Sequence, residues 1–163
     1  MQFSDLPFHK SILKAVAEER FQIPTLVQQK AIPLVLEKKN VIVSAQTGTG
    51  KTAAFALPII QLLFDEQEVE KKDKKIRSLV VTPTRELAIQ ILENFKSFSK
   101  YSDLEATAVF GGVSLEPQKE ILGKGVDILI ATPGRLIDLQ MQGNIDLSAV
   151  EIFVLDEADL MLD

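Results

Sequence analysis

Apolar residues along this chain come mostly in short, β-branched, nearly unbroken runs, each ending in a small, turn-forming or polar residue. Five such runs stand at about 41–44 in "NVIVSAQTGTGKT", 78–82 in "SLVVTPTREL", 107–110 in "TAVFGG", 126–131 in "VDILIATPGR" and 150–155 in "VEIFVLDEAD". Runs without apolar–polar alternation mark strands covered on both faces, as in a parallel sheet. Between them the period becomes helical. In "RELAIQILENFKSFSKY", Leu87, Ile91, Phe95 and Phe98 recur at spacings of three and four, which is one apolar helix face. "AAFALPIIQLLFDEQ" reads as a helix that Pro58 should kink or end. "PQKEILGKG" and "GRLIDLQMQG" read as shorter helices, and residues 1–40 as mostly helical with breaks at Pro24 and Pro33. Strand and helix in alternation predict an α/β fold, a mostly parallel sheet flanked by helices. "EVEKKDKKIR" (68–77) reads as a solvated loop whose Lys71, Lys72, Lys74 and Lys75 could touch phosphate.

Composition narrows the classes. A chain of 163 residues, 46% hydrophobic and 25% charged, suits one globular domain. Cysteine is absent, which excludes disulfides and thiolate metal sites and fits a reducing cytoplasm. "MQFSDLPFHK" lacks the basic-then-apolar order of a secretory signal, and no apolar run approaches the roughly 18 residues of a membrane span. A net charge of −5 argues against holding nucleic acid by bulk positive charge, while leaving room for local phosphate contacts.

Each run hands over to Gly, Pro or polar residues at its C-terminal end, the edge where open α/β sheets bind ligands. "AQTGTGKT" (45–52) follows an apolar run and precedes a helix, as a phosphate loop requires. Gly48 and Gly50 let the backbone turn its N–H groups inward, and the helix start adds a positive end. Lys51 can reach β- and γ-phosphates, and the Thr52 hydroxyl can ligate Mg²⁺. Ala45 stands where the generic pattern has glycine. The bland alternative is a glycine-rich turn with an incidental lysine.

The last run ends on Asp156-Glu157-Ala158-Asp159. Adjacent carboxylates at a buried strand end repel unless a cation offsets them. Asp156 can hold Mg²⁺, and Glu157 can polarise a water for attack on a γ-phosphate. A surface acidic turn, or a helix cap at Asp156 or Asp159, is the other reading.

With "AQTGTGKT" upstream of "DEAD", the chain resembles the DEAD-box RNA helicases, and the match runs over essentially its whole length. "FQIPTLVQQKAIP" (21–33) resembles the family's Q motif, and residues 1–40 its Q-motif region. "PTRELA" (83–88), Gly111-Gly112 and "TPGR" (132–135) resemble its RNA-facing motifs. The resemblance implies a RecA-like P-loop NTPase domain with ATP and Mg²⁺ as cofactors and RNA as partner.

Residue by residue, it implies Gln28 as the adenine reader and Phe3 as the aromatic packed on adenine. Phe21 and Ala45, Gln46, Thr47, Gly48, Thr49, Gly50, Lys51 and Thr52 complete the nucleotide site. Lys51, Asp156 and Glu157 carry the catalysis. RNA backbone contacts are expected from Pro83, Thr84, Arg85, Gly111, Gly112, Thr132, Pro133, Gly134 and Arg135, with little reading of bases. By sequence alone Gln28 reads better as an exposed helix glutamine, Arg135 could instead pair with a neighbouring carboxylate, and His9 reads as a surface residue.

Two departures stand out. Arg20 replaces a glycine before the Q-motif phenylalanine, at a helix end that wants φ > 0. Leu160 replaces a common arginine. The resemblance also implies a Ser-Ala-Thr strand after Asp163 and a second RecA-like domain supplying arginines to the γ-phosphate. The chain is therefore expected to be an incomplete N-terminal domain of a cytoplasmic helicase. Rival readings are a catalytically inactive nucleotide- or partner-binding fragment, or another P-loop nucleic-acid-dependent ATPase such as a DNA translocase.

Overall fold

The computed structural model describes residues 1–42, 50–65 and 74–161, which fall into two compact units. One comprises Met1–Gln67 with Asn94–Asp103, the other Glu68–Glu93 with Leu104–Asp163.

The first unit is helical. A 3₁₀ turn, Phe3–Asp5, precedes α1 (Lys10–Glu18), α2 (Leu26–Leu36) and α3 (Lys51–Asp65). His9 caps α1, its Nδ1 accepting from the Ser11 backbone N–H at 3.2 Å, so it is the surface residue expected. Pro24 falls outside α2, as read, and Thr25 caps that helix. Pro33, expected as a break, lies inside α2, and Pro58, expected to kink or end its helix, lies inside α3 without ending it. Proline removes one ladder bond, a penalty of about 3 kcal/mol. The turn after Pro58 buries Ile59, Ile60 and Leu63 completely, at roughly 1.5–3 kcal/mol per side chain, which outweighs it. Arg20 does take φ +64°, the left-handed conformation expected where the family pattern has glycine.

The second unit holds a parallel sheet. Its strands are β1 (Ser78–Val81), β2 (Ala106–Val109), β3 (Ile128–Ala131) and β4 (Ile152–Leu155), in the order β2-β3-β1-β4. The helix α4 (Arg85–Phe98) links β1 to β2, α5 (Glu116–Gly123) links β2 to β3, and α6 (Pro133–Met141) links β3 to β4. β1 and β3 are buried at every position, as their uninterrupted apolar runs require. Leu79, Val81, Leu129 and Ala131 pack on one face with Val109, Val126 and Leu139. Ile91, Phe95 and Phe98 of α4 are buried as their spacing predicted. β4 borders the described sheet: Phe153 and Leu155 are 55% and 54% exposed.

The strand expected at 41–44 is not among the four. Its Val43 and Ser44 lie outside the described residues, and Val41 and Ile42 are not in a strand. Lys71 and Lys72 also lie outside. Lys74 corrects the solvated-loop reading: its Nζ is 2.7 Å from Asp127 Oδ2, with the two side chains 7% and 8% exposed.

Candidate functional site

Strand register builds the site. Val81 is level with Ala131 on one side and Leu155 on the other, and Val109 is level with Ala131. The residues one step further, Phe110, Thr132, Thr82 and Asp156, therefore form a row along the C-terminal rim. Backbone bonds continue the ladder into that row: Thr132 N–H to Val109 O at 3.1 Å, Thr82 N–H to Ala131 O at 3.0 Å, and Asp156 N–H to Val81 O at 2.8 Å.

Beyond the rim, three segments far apart in sequence meet. Pro83 and Arg85, Gly111, and Thr132, Pro133, Gly134 and Arg135 line one cleft of about 500 Å³, joined by Asp138. Seven of the nine residues expected to face RNA thus share one surface. Asp138 was not among them; its place, one turn along α6 from Gly134, is the only signal the sequence offered. Thr84 sits between two lining residues and caps α4, its Oγ1 accepting from Leu87 N–H at 3.2 Å. A hydroxyl has one donor and two acceptor sites, so its O–H stays available to a phosphate. Gly112 has φ +82° and needs to be glycine. Arg85 is exposed, with its guanidinium carbon 5.5 Å from the Phe110 ring centre. Arg135 donates to Gln118 Oε1 and to the Val113 carbonyl, each at 2.9 Å.

Asp156 is buried on the same rim, and the Thr82 hydroxyl donates to its Oδ2 at 3.2 Å. Glu157 follows with φ +54°. A non-glycine residue held there stores strain of order 1–3 kcal/mol, a state that clusters at functional positions. Among the described residues no three carboxylates or histidines gather to cage a metal. The donor set still fits Mg²⁺, which keeps several waters and takes one or two carboxylates from protein.

In the first unit, Gly50 directly precedes α3. Its carbonyl accepts from Ala54 N–H at 3.2 Å and from Gln28 Nε2 at 3.1 Å. Gln28 Oε1 accepts from Thr25 N–H at 2.9 Å, completing a capping box at α2. Gln28 is buried, not the exposed helix residue that local pattern alone allowed. One donor and one acceptor of its amide are used, and one of each remains, the pair an adenine edge requires. Lys51 and Thr52 are the first two residues of α3, where N–H groups and the helix dipole favour anions. Ala45, Gln46, Thr47, Gly48 and Thr49 lie outside the described residues. Of the two expected aromatics, Phe3 is 4% exposed and Phe21 38%. They stack with centroids 6.2 Å apart, and Phe98 packs on Phe21 at 5.9 Å.

The sequence profile of the DEAD/DEAH box helicases matches residues 25–163. The chain belongs to this family. It is 44% identical over 163 residues to an ATP-dependent RNA helicase RhlB of Shewanella piezotolerans, covering 99% of this chain and 37% of that protein. It is 46% identical over 161 residues to the DEAD-box ATP-dependent RNA helicase RhpA of Helicobacter pylori, covering 99% of this chain and 31% of that protein. The chain thus spans about a third of these curated relatives. Its fold is similar to the crystal structure of a hypothetical ATP-dependent RNA helicase from Sulfolobus tokodaii. The TM-score is 0.84 at 44% identity, over 94% of this chain and 43% of that one. The α/β architecture is accordingly that of a helicase RecA-like domain. No described helix is long and apolar enough to cross a membrane.

Proposed function

We propose that this chain is the ATP-binding and RNA-contacting part of a helicase that couples ATP hydrolysis to local RNA strand separation. What supports the RNA half is the convergence of three motif segments on one rim cleft, presenting hydroxyls and an exposed arginine. Such donors follow a sugar–phosphate backbone without reading bases, which suits a chain of net charge −5. For the ATP half, the buried Gln28 amide takes the adenine edge, and Phe21, 38% exposed, takes the base in place of Phe3, which at 4% exposure is too buried for the role expected of it and backs the Phe21 ring instead. Lys51 and the segment 45–50 take the phosphates. Thr52 in the first unit and Asp156 in the second are the residues assigned to Mg²⁺, which would offset phosphate charge when bound. Glu157 orients the attacking water.

Residues 1–163 act as one RecA-like ATP-binding domain, with 1–40 as its Q-motif region, in a soluble cytoplasmic protein. A second RecA-like domain supplies arginines, a contribution worth roughly 10³–10⁵ in rate in comparable enzymes. Hydrolysis is therefore fast only where that domain is in place. Titrations with a fluorescent ATP analogue and a labelled single-stranded RNA test the proposal. Lys51→Ala should abolish nucleotide binding, and Arg85→Ala should weaken RNA binding alone. Binding of neither ligand by the unaltered chain would favour a partner-binding role, and equal preference for DNA a translocase.

A further inference from the structure

The Gly111-Gly112 turn is held at both ends by its carbonyl oxygens. At one end Gln118 Nε2 donates to the Phe110 carbonyl at 3.2 Å. At the other Arg135 Nη2 donates to the Val113 carbonyl at 2.9 Å. The two side chains are joined to each other, Arg135 Nη1 donating to Gln118 Oε1 at 2.9 Å. Three hydrogen bonds in series thus connect β2's exit, α5 and α6 around one turn.

Gln118 is 8% exposed and is not among the residues lining the cleft. Both of its amide atoms are engaged within the protein. Arg135 does line the cleft, but each terminal nitrogen of its fork already donates to a neutral protein acceptor. A planar guanidinium bonded at two places has its orientation set by those acceptors. Arg85 differs: it is exposed, and its Nη1 lies 4.0 Å from where a Cβ on Gly112 would stand.

We infer that Gln118 and Arg135 are positioning residues, which shape the Gly111-Gly112 turn for a nucleic-acid backbone, and that Arg85 makes the charge contact with phosphate. The assignment rests on the RNA-binding reading of the cleft. It gives Arg135 a different task from the phosphate contact its motif suggested, and it gives Gln118 a task where none was foreseen.

Salt dependence separates the roles. Each arginine paired with a phosphate of a single strand steepens the fall of log affinity with log salt by about 0.7. RNA titrations over a salt series should show that loss of slope for Arg85→Ala. Arg135→Ala and Gln118→Ala should each weaken binding on the order of tenfold, the scale of one hydrogen bond to a charged group, at unchanged slope. The double variant should be weaker than either single one by less than the two losses together, because the Arg135–Gln118 bond is lost in both. Gln118→Glu keeps the acceptor for Arg135 and removes the donor to Phe110, so it should fold normally and still bind RNA more weakly.

A slope change of about 0.7 in Arg135→Ala, or unaltered affinity in both Gln118 variants, overturns the inference. Amide hydrogen exchange at 110–113 is read on the same variants without RNA. It should accelerate in all of them except Arg85→Ala, and unchanged rates would overturn the brace. If the unaltered chain binds no RNA, the RNA reading falls, and the exchange rates decide whether the brace exists.

Discussion

The Thr82 hydroxyl donates to Asp156 Oδ2 at 3.2 Å, joining residues 74 positions apart at the ends of neighbouring strands. Thr82 directly precedes the segment that lines the cleft, and Asp156 opens the acidic motif. The bond exists because β1 and β4 are parallel and in register, so the next residue of each faces the same rim. Thr82→Val keeps the shape and removes the donor to a buried carboxylate. It should cost about 1.5–3 kcal/mol in urea denaturation. Thr82→Ser should recover most of that, and a valine variant as stable as the original would count against the bond.

Gly50 is constrained twice. Its φ is +79°, and a Cβ there would stand 2.3 Å from Gln28 Nε2. Gly50→Ala should lower stability by about 1–2 kcal/mol from backbone conformation alone, with the collision added. Gln28→Ala removes the collision partner. The double variant should therefore lose less than its two single variants together, as read from thermal denaturation of all four proteins. Strict additivity would mean that the two side-chain positions do not meet.

The Lys74–Asp127 pair is enclosed, and Asp127 Oδ2 also accepts from Glu105 N–H at 2.9 Å. Lys74→Ala leaves a buried carboxylate without its cation, a loss of about 3–5 kcal/mol. Lys75→Ala, at an exposed neighbour, should change stability by less than about 0.5 kcal/mol. Guanidinium unfolding of the two variants provides the comparison, and similar curves would show that Lys74 is solvated in solution.

Tyr101 is the chain's one tyrosine, and there is no tryptophan, so its ultraviolet titration is unobscured. Its hydroxyl donates to Glu18, which also pairs with Lys100. The Glu18 hydrogen bond, more than burial, holds the Tyr101 pKa above its ordinary value. Bonding to Lys100 and then Tyr101 lowers that of Glu18. By linkage, Tyr101's contribution to stability is complete below the ordinary tyrosine pKa and disappears as pH rises through the folded value. That of Glu18 holds above the ordinary carboxylate pKa and is lost as pH falls. Glu18→Gln should bring the phenolate midpoint down towards that of free tyrosine; an unmoved midpoint would place the hydroxyl elsewhere.

Much of the rim was legible. Uninterrupted apolar runs name parallel strands, and in such a sheet the residues after each strand collect along one edge. That reasoning located Arg85, Gly111, Gly134 and Asp156 before any coordinates. At Arg20 the glycine of the family pattern marked the left-handed conformation, which the arginine holds although a side chain disfavours it. Pro58 does not end α3 because local propensity omits the burial gained by the turn that follows; Pro33 misled as well, although the residues after it are exposed or half-buried.

The sequence by itself determined the fold class, the family and the rim, since each follows from local periodicity and from motifs whose residues are neighbours along the chain. Only the tertiary structure decided what distant polar atoms do. Gln118 looks like any helix glutamine, Lys74 like any loop lysine, and Thr82 like a strand end. Their acceptors at Phe110, Asp127 and Asp156 come within reach only when the strands align. Burial then makes each bond count, because an unpaired polar group there cannot turn to water.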